Sequence, residues 1–171
     1  MDEIFVMNRD GSGVTQLTSG SVNEQTNYPY FSPDGTKIIF SSDRAGVGLD
    51  HIYVMDANGA NLTRMGEDIE NDTGDHSRFS PNGNKILFSG DNVNGNADIY
   101  LMNYDGSNRT RLTNVSGLNF NASFSSDGTK ILFTSDRAEG NFDLYLMNVH
   151  GTGLVRLTNH PAEDSMGVMA P

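Results

Sequence analysis

Four segments of this 171-residue chain are versions of one phrase, and the phrase returns at a nearly fixed interval. Residues 2–18, 50–66, 97–113 and 142–158 carry the cores Ile4-Phe5-Val6-Met7-Asn8, Ile52-Tyr53-Val54-Met55-Asp56, Ile99-Tyr100-Leu101-Met102-Asn103 and Leu144-Tyr145-Leu146-Met147-Asn148. Their first residues lie 48, 47 and 45 positions apart. A period of that size marks an array of small units, none of which buries its apolar surface alone. Fold and function therefore have to be sought unit by unit.

A second phrase falls between copies of the first. It reads Phe31-Ser32-Pro33-Asp34-Gly35-Thr36-Lys37-Ile38-Ile39-Phe40, then Phe79-Ser80-Pro81-Asn82-Gly83-Asn84-Lys85-Ile86-Leu87-Phe88, then Phe124-Ser125-Ser126-Asp127-Gly128-Thr129-Lys130-Ile131-Leu132-Phe133. Asp-Gly or Asn-Gly between apolar runs signals a tight hairpin, because these residues tolerate the positive φ that such turns need. The first phrase has turns of its own at Asp10-Gly11, Asn58-Gly59, Asp105-Gly106 and His150-Gly151. Each full repeat thus predicts four short antiparallel strands, A to D. Strands B and C are apolar on both faces, as in Ile38-Ile39-Phe40, so their sheet is expected to lie between two neighbours. Strand D alternates: Leu17, Met65, Leu112 and Leu157 recur in register, while Gln16, Arg64, Arg111 and Arg156 are expected to form an outward row that protects an edge. No segment has a convincing helical period with caps.

Four-stranded sheets of about 45 residues, buried on both faces, describe the blades of a β-propeller, an all-β fold. The string Phe31-Ser-Pro-Asp-Gly, Ser42-Asp43-Arg44, Ile52-Tyr53-Val54-Met55-Asp56, Asn58-Gly59 and Leu62-Thr63-Arg64 resembles the WD40-like repeat of TolB-type β-propellers. The resemblance extends over nearly the whole chain, although the Trp-Asp pair of ordinary WD40 blades is missing, since there is no tryptophan. It implies a propeller fold and is weak for function. Such repeats occur in a periplasmic protein-binding propeller, in the propeller caps of prolyl-oligopeptidase-type peptidases and in many surface and periplasmic proteins. A periplasmic or extracellular location is the matching expectation, with no export signal in this chain.

The repeat also serves as a ruler. It predicts one propeller domain over 1–171, with a part-blade at 1–18, complete blades at about 27–66, 74–113 and 119–158, and a tail strand at 165–171. Joining the tail to the N-terminus would leave a ring short of one B strand. Three arrangements follow: a piece of a longer propeller, a ring closed by two copies as a homodimer, or a four-bladed ring with one thin blade.

Composition narrows the function classes. The absence of cysteine excludes disulfides, cysteine zinc sites and thiol nucleophiles. No apolar run approaches the ~20 residues of a helical membrane span, and the N-terminus lacks the layout of a signal peptide. A net charge of −11 opposes binding to nucleic-acid phosphates and fits a cationic partner, such as a basic protein or peptide, or a metal ion better. The charge is also expected to be uneven. The B-to-C and D-to-A loops, which share one face of the disc, hold fifteen acidic residues against Arg44 and Arg137. The opposite face has only short turns. Long, variable loops on a rigid scaffold are where binding usually sits, which points to Glu67, Asp68, Glu70, Asp72 and Asp75.

Strand A is innermost and lines the central channel. Before its Phe the three blades read Asn27-Tyr28-Pro29-Tyr30, Asp75-His76-Ser77-Arg78 and Phe120-Asn121-Ala122-Ser123, varied where the B and C cores are uniform. Tyr28, Tyr30, His76, Arg78 and Asn121 are accordingly expected to face a ligand or to fill the channel by bonding one another. No Gly-x-Ser-x-Gly elbow or defensible triad is present, so no catalytic residue is assigned. His76 beside Asp75 is a weak candidate base. No cofactor or metal is expected. The oxygen-rich runs 91–98 and 67–75 loosely resemble calcium loops but lack the EF-hand spacing and its bidentate Glu, and turn chemistry accounts for their composition. Asp43-Arg44 and Asp136-Arg137 recur at the end of strand B and are expected to be scaffold. The expected function is a non-enzymatic protein- or peptide-binding scaffold. The alternative is the cap of a propeller peptidase or other propeller enzyme whose catalytic part lies outside this chain.

Overall fold

A computed structural model describes residues 2–20, 24–46, 50–65, 76–91, 96–138, 141–167 and 169. Among them lie fourteen strands and no helix. Strands β1 (Phe5–Val6) and β2 (Thr15–Gln16) form a two-stranded sheet. Three four-stranded antiparallel sheets follow: β3 (Thr26–Phe31), β4 (Lys37–Ser42), β5 (His51–Asp56) and β6 (Thr63–Arg64); β7 (Arg78–Phe79), β8 (Lys85–Asp91), β9 (Ala97–Asn103) and β10 (Thr110–Arg111); β11 (Asn119–Phe124), β12 (Lys130–Ser135), β13 (Asp143–Asn148) and β14 (Val155–Arg156). Each sheet is ordered A-B-C-D along the chain, so every strand pairs with its sequence neighbour. This is the blade of a β-propeller, and β1–β2 is the C–D half of one.

The turns form for reasons visible in their side chains. Asp34 Oδ1 accepts hydrogen bonds from Ser32 Oγ (2.6 Å), Thr36 N (3.0 Å) and Thr36 Oγ1 (2.9 Å), closing the A-to-B hairpin while Gly35 takes φ +70°. Asp127 does the same in the third blade. At the C-to-D turn glycine has a second reason. A Cβ on Gly59 would sit 3.1 Å from the carbonyl oxygen of Leu17, so the turn of one blade can rest on the D strand of the previous blade only without a side chain.

The core is divided between blades. On β4 and β5, Ile38, Phe40, Tyr53 and Met55 pack toward Ile4 and Leu17 of the part-blade. Their alternate neighbours Ile39, Ile52 and Val54 pack the other way, against Phe79, Ile86, Phe88, Tyr100 and Met102 of the second blade. Leu87, Ile99 and Leu101 then meet Ile131, Phe133, Tyr145 and Met147 of the third. Because strand side chains alternate with period two, a strand clasped on both sides must be apolar at every position, as B and C are.

Gln16, Arg111 and Arg156 of strand D are exposed, as the outward row predicts, and the two arginines have a further role. Arg111 and Arg156 turn back to the C strand, where each Nη2 donates to a fully buried carboxylate, Asp98 Oδ2 and Asp143 Oδ2, at 2.5 Å. Asp98 also accepts from Thr113 Oγ1 (2.6 Å). The pair ties strand D to strand C, because a buried carboxylate is tolerated only when paired and hydrogen-bonded. In the tail no strand occurs among the described residues. Residues 164–167 nevertheless follow the third blade: Asp164 N donates to Phe142 O (2.7 Å), and Gly167 packs so close to Leu144 that a Cβ would come within 2.8 Å of its Cδ1.

Candidate functional site

The innermost strands are bent at one repeated place. Between Asn27 and Tyr30, β3 uses one more residue than β4 opposite it, and β11 does the same between Phe120 and Ser123. The extra residue of such a bulge kinks the strand and re-aims its side chains. At the kink Tyr28 (φ 55°) and Asn121 (φ 54°) are left-handed, and His76 (φ 57°) and Met166 (φ 56°) take the same conformation at the equivalent positions of the second blade and the tail. Asparagine accepts this conformation readily; tyrosine, histidine and methionine hold it at a cost of about 1–2 kcal/mol each. Four A-strand segments are thereby bent alike around one space.

That space is a cavity of about 760 Å³. Tyr30, Arg78 and Ser123, each two residues past the kink, share its wall with His76, Asn121 and Met166. Pro33, Pro81 and Ser126 also line it, so it reaches the A-to-B turns. Tyr28 does not line it but stands behind His76, with ring centroids 4.1 Å apart and planes tilted by 32°. The Arg78 guanidinium lies 4.4 Å from the centre of the Tyr30 ring, and Arg78 Nη1 donates to the carbonyl oxygen of Ser77 (3.1 Å). Asn121 Oδ1 and Ser123 Oγ are buried in the cavity wall without a hydrogen-bond partner.

The electrostatics follow from burial. His76 is held below its usual pKa of 6.5, first by desolvation and then by the nearby Arg78 charge, so its ring is neutral at pH 7. Desolvation also lowers the pKa of Arg78, opposed by Tyr30. Among the described residues, Arg78 is the one charged side chain in the cavity wall.

Of the residues singled out from the sequence, Tyr30, His76, Arg78 and Asn121 are brought together at one cavity and Tyr28 supports it from behind. Glu67, Asp68, Glu70, Asp72 and Asp75 lie outside the described residues, as do both oxygen-rich runs in large part. Among the described residues no group of three His, Asp or Glu is placed to hold a metal ion. The tally of acidic loop residues needs correction: Asp98 and Asp143 are committed to buried ion pairs. Asp43 is buried too, its Oδ1 accepting from Gln25 N at 2.7 Å, and Asp136 Oδ1 accepts from Leu118 N at 2.6 Å. Arg44 and Arg137 bond Ser42 and Ser135 and cover the stacked pairs Phe40–Tyr53 and Phe133–Tyr145, so both Asp-Arg pairs are scaffold. Two wall residues escaped the sequence reading. Ser123 aligns with Tyr30 and Arg78 in the repeat. Met166 could have been found by the ruler, 45 positions after Asn121.

A family model for the TolB beta propeller domain matches residues 67–171, more than half of the chain. No curated protein matches. Among solved structures, TolB from Acinetobacter baumannii superposes with a TM-score of 0.77 at 24% identity, over 95% of this chain and 39% of that one. A protein assigned as TolB from Agrobacterium tumefaciens gives 0.74 at 23% identity, over 96% and 64%. A prolyl endopeptidase gives 0.67 at 13% identity, over 92% and 26%. The chain therefore spans less than two thirds of the length of each of these structures, and the likeness to them is one of fold.

Proposed function

The chain belongs to the TolB beta propeller domain family, and from that premise we propose that it is a non-enzymatic scaffold that binds a protein or peptide segment in its axial cavity. The observation that carries this reading is the cavity of about 760 Å³ framed by four equivalent A-strand segments, three of them held in a strained backbone conformation by Tyr28, His76 and Met166. Strain of that kind persists where the surrounding structure enforces it, and it recurs at binding clamps. A rigid ring of inner strands presenting dissimilar side chains suits recognition of an extended segment, with Tyr30 as an aromatic anchor. The acidic loops, Glu67, Asp68, Glu70, Asp72 and Asp75 among them, would steer a basic partner toward the disc. A location outside the cytoplasm fits the family, and no cofactor enters this reading.

Selection of a random-peptide library on the immobilised chain tests the proposal. Peptides recovered by the wild type should lose about tenfold or more in affinity for Tyr30→Ala with little change in melting temperature, as loss of an aromatic anchor implies. Peptides that bind this variant as tightly as the wild type overturn the assignment of the cavity. A second reading, the cap of a propeller peptidase, draws on the fold shared with a prolyl endopeptidase; an α/β-hydrolase domain encoded after residue 171 would favour it.

A further inference from the structure

We infer that the axial cavity is a receptor for a carboxylate group on a peptide, with Arg78 as its anchor. This rests on the reading of the cavity as the peptide-binding part of the molecule, and it reverses the charge preference that the overall composition suggests. The chain carries −11, yet among the described residues the wall of this cavity contains no Asp or Glu and one cation, Arg78. The molecule's three ion pairs among described residues all use other cations, Lys37 with Asp56, Arg111 with Asp98 and Arg156 with Asp143. Arg78 is half-buried, and a guanidinium withdrawn from water without a counter-charge is costly. Two contacts offset part of that cost: the Tyr30 ring at 4.4 Å and the Ser77 carbonyl oxygen at 3.1 Å.

The Ser77 contact uses one of five guanidinium N–H donors. The Tyr30 ring lies 4.4 Å from the guanidinium carbon, and an N–H edge of the group remains for an acceptor. A carboxylate fits that edge with two parallel hydrogen bonds, short and about twice as strong as neutral ones. A phosphate fits worse, because a dianion meets twice the repulsion from a molecule of charge −11 and finds a single cation here. The neighbouring wall adds the peptide character. Asn121 Oδ1 and Ser123 Oγ lack partners; a turn of the Asn121 amide about χ2 and of the Ser123 hydroxyl would offer an acceptor or a donor to an adjoining peptide group.

The test uses the full 171-residue chain with labelled arginine, following the Arg78 Nε–H signal by NMR. The probes are N-acetylglycine, which carries an α-carboxylate, N-acetylglutamate α-amide, which carries a side-chain carboxylate, N-acetylglycine amide, N-acetylarginine amide and inorganic phosphate. Saturable shifts with at least one carboxylate probe, and none with the neutral or cationic amide, are expected, and the better acid shows whether a chain terminus or an acidic side chain is the natural source. With binding of the same acid measured by isothermal titration calorimetry, which needs no arginine signal, Arg78→Met should bind about tenfold or more weakly than the wild type, and Arg78→Lys should recover part of it. Should Arg78→Met fail to fold, the titration of the wild type still decides. No shift with either acid, equal affinity for phosphate, or undiminished binding by folded Arg78→Met overturns the inference. Library peptides that lack carboxylates and ignore Arg78→Met would sink the carboxylate site and leave the peptide reading standing. Acid probes that bind while no library peptide competes would do the opposite.

Discussion

Asp34, Asn82 and Asp127 hold the same turn position in successive blades, and only the two aspartates can titrate. All three oxygens accept a serine hydroxyl from two residues before and an amide N–H from two residues after, in Asn82 from Ser80 Oγ at 2.8 Å and Asn84 N at 3.1 Å, and the two aspartates also accept from Thr36 Oγ1 and Thr129 Oγ1. Those bonds favour the ionised form of the two aspartates, first through Ser32 and Ser125, and lower their pKa from 3.8 to about 2. A depressed carboxyl pKa contributes stability that is present above the unfolded value and lost as pH falls through the folded one. Replacing both by Asn should therefore flatten the fall in melting temperature between about pH 4 and about pH 2. The change near pH 7 should be small, since the second blade already closes its hairpin with Asn82. Scanning calorimetry across that range checks it. This position was legible because the same turn recurs three times. The next case was not. His51 stands where Asp98 and Asp143 stand in later blades, and it faces Arg64 with Nδ1 3.0 Å from Nη2. The loop before His51 is longer than those before Asp98 and Asp143 in their repeats, and nothing local to the histidine reveals that it lies in a buried clamp.

At the scale of the strand, the clamp between C and D separates ion pairs that matter from those that do not. Asp98 is fully buried and the Arg111 side chain 40% exposed, whereas Lys37 and Asp56, also paired at 2.5 Å, are 37% and 25% exposed. Removing one partner of a buried pair leaves a desolvated, unpaired group, while an exposed pair contributes little. Asp98→Ala should cost about 3 kcal/mol and Asp56→Ala far less, both read from urea denaturation midpoints at unchanged slope. Strands A, B and C could be placed from hairpin signals and from apolar runs clasped on both faces. Strand D and the outer side of its arginines were legible too, but not their pairing, because alternation tells which side of a strand a residue leaves from and not whether a long side chain folds back to a carboxylate. The bulge in strand A was illegible for a related reason: tyrosine, histidine and methionine are poor residues for positive φ, so local preference argued against the conformation that packing imposes.

The whole molecule shows two apolar faces that intact blades cover. On the part-blade Phe5 and Met7 are 56% and 65% exposed, while their equivalents Tyr53 and Met55 are 6% and 1%. On the third blade Leu157 is 50% exposed, against 7% for Met65 in the first. Edges and faces of this kind promote association. The double variant Phe5→Lys, Met7→Lys should shift the concentration dependence of light scattering toward the monomer, with a melting temperature close to that of the wild type because little buried area is lost; unchanged scattering would show that this face does not associate. The sequence by itself determined the all-β class, the four-strand repeat, the family and the identity of the inner strand, since each depends on local turn chemistry and on a period of two that the repeats reinforce. Tertiary structure alone decided which acids are clamped in buried pairs, and which inner-strand residues share the cavity. It also decided that a chain of net charge −11 places an arginine there without a carboxylate beside it among the described residues. The physical reason is that burial and pairing are properties of neighbours brought together from different blades. A repeat, however regular, specifies each blade's interior and leaves the space between inner strands to the residues in which the blades differ.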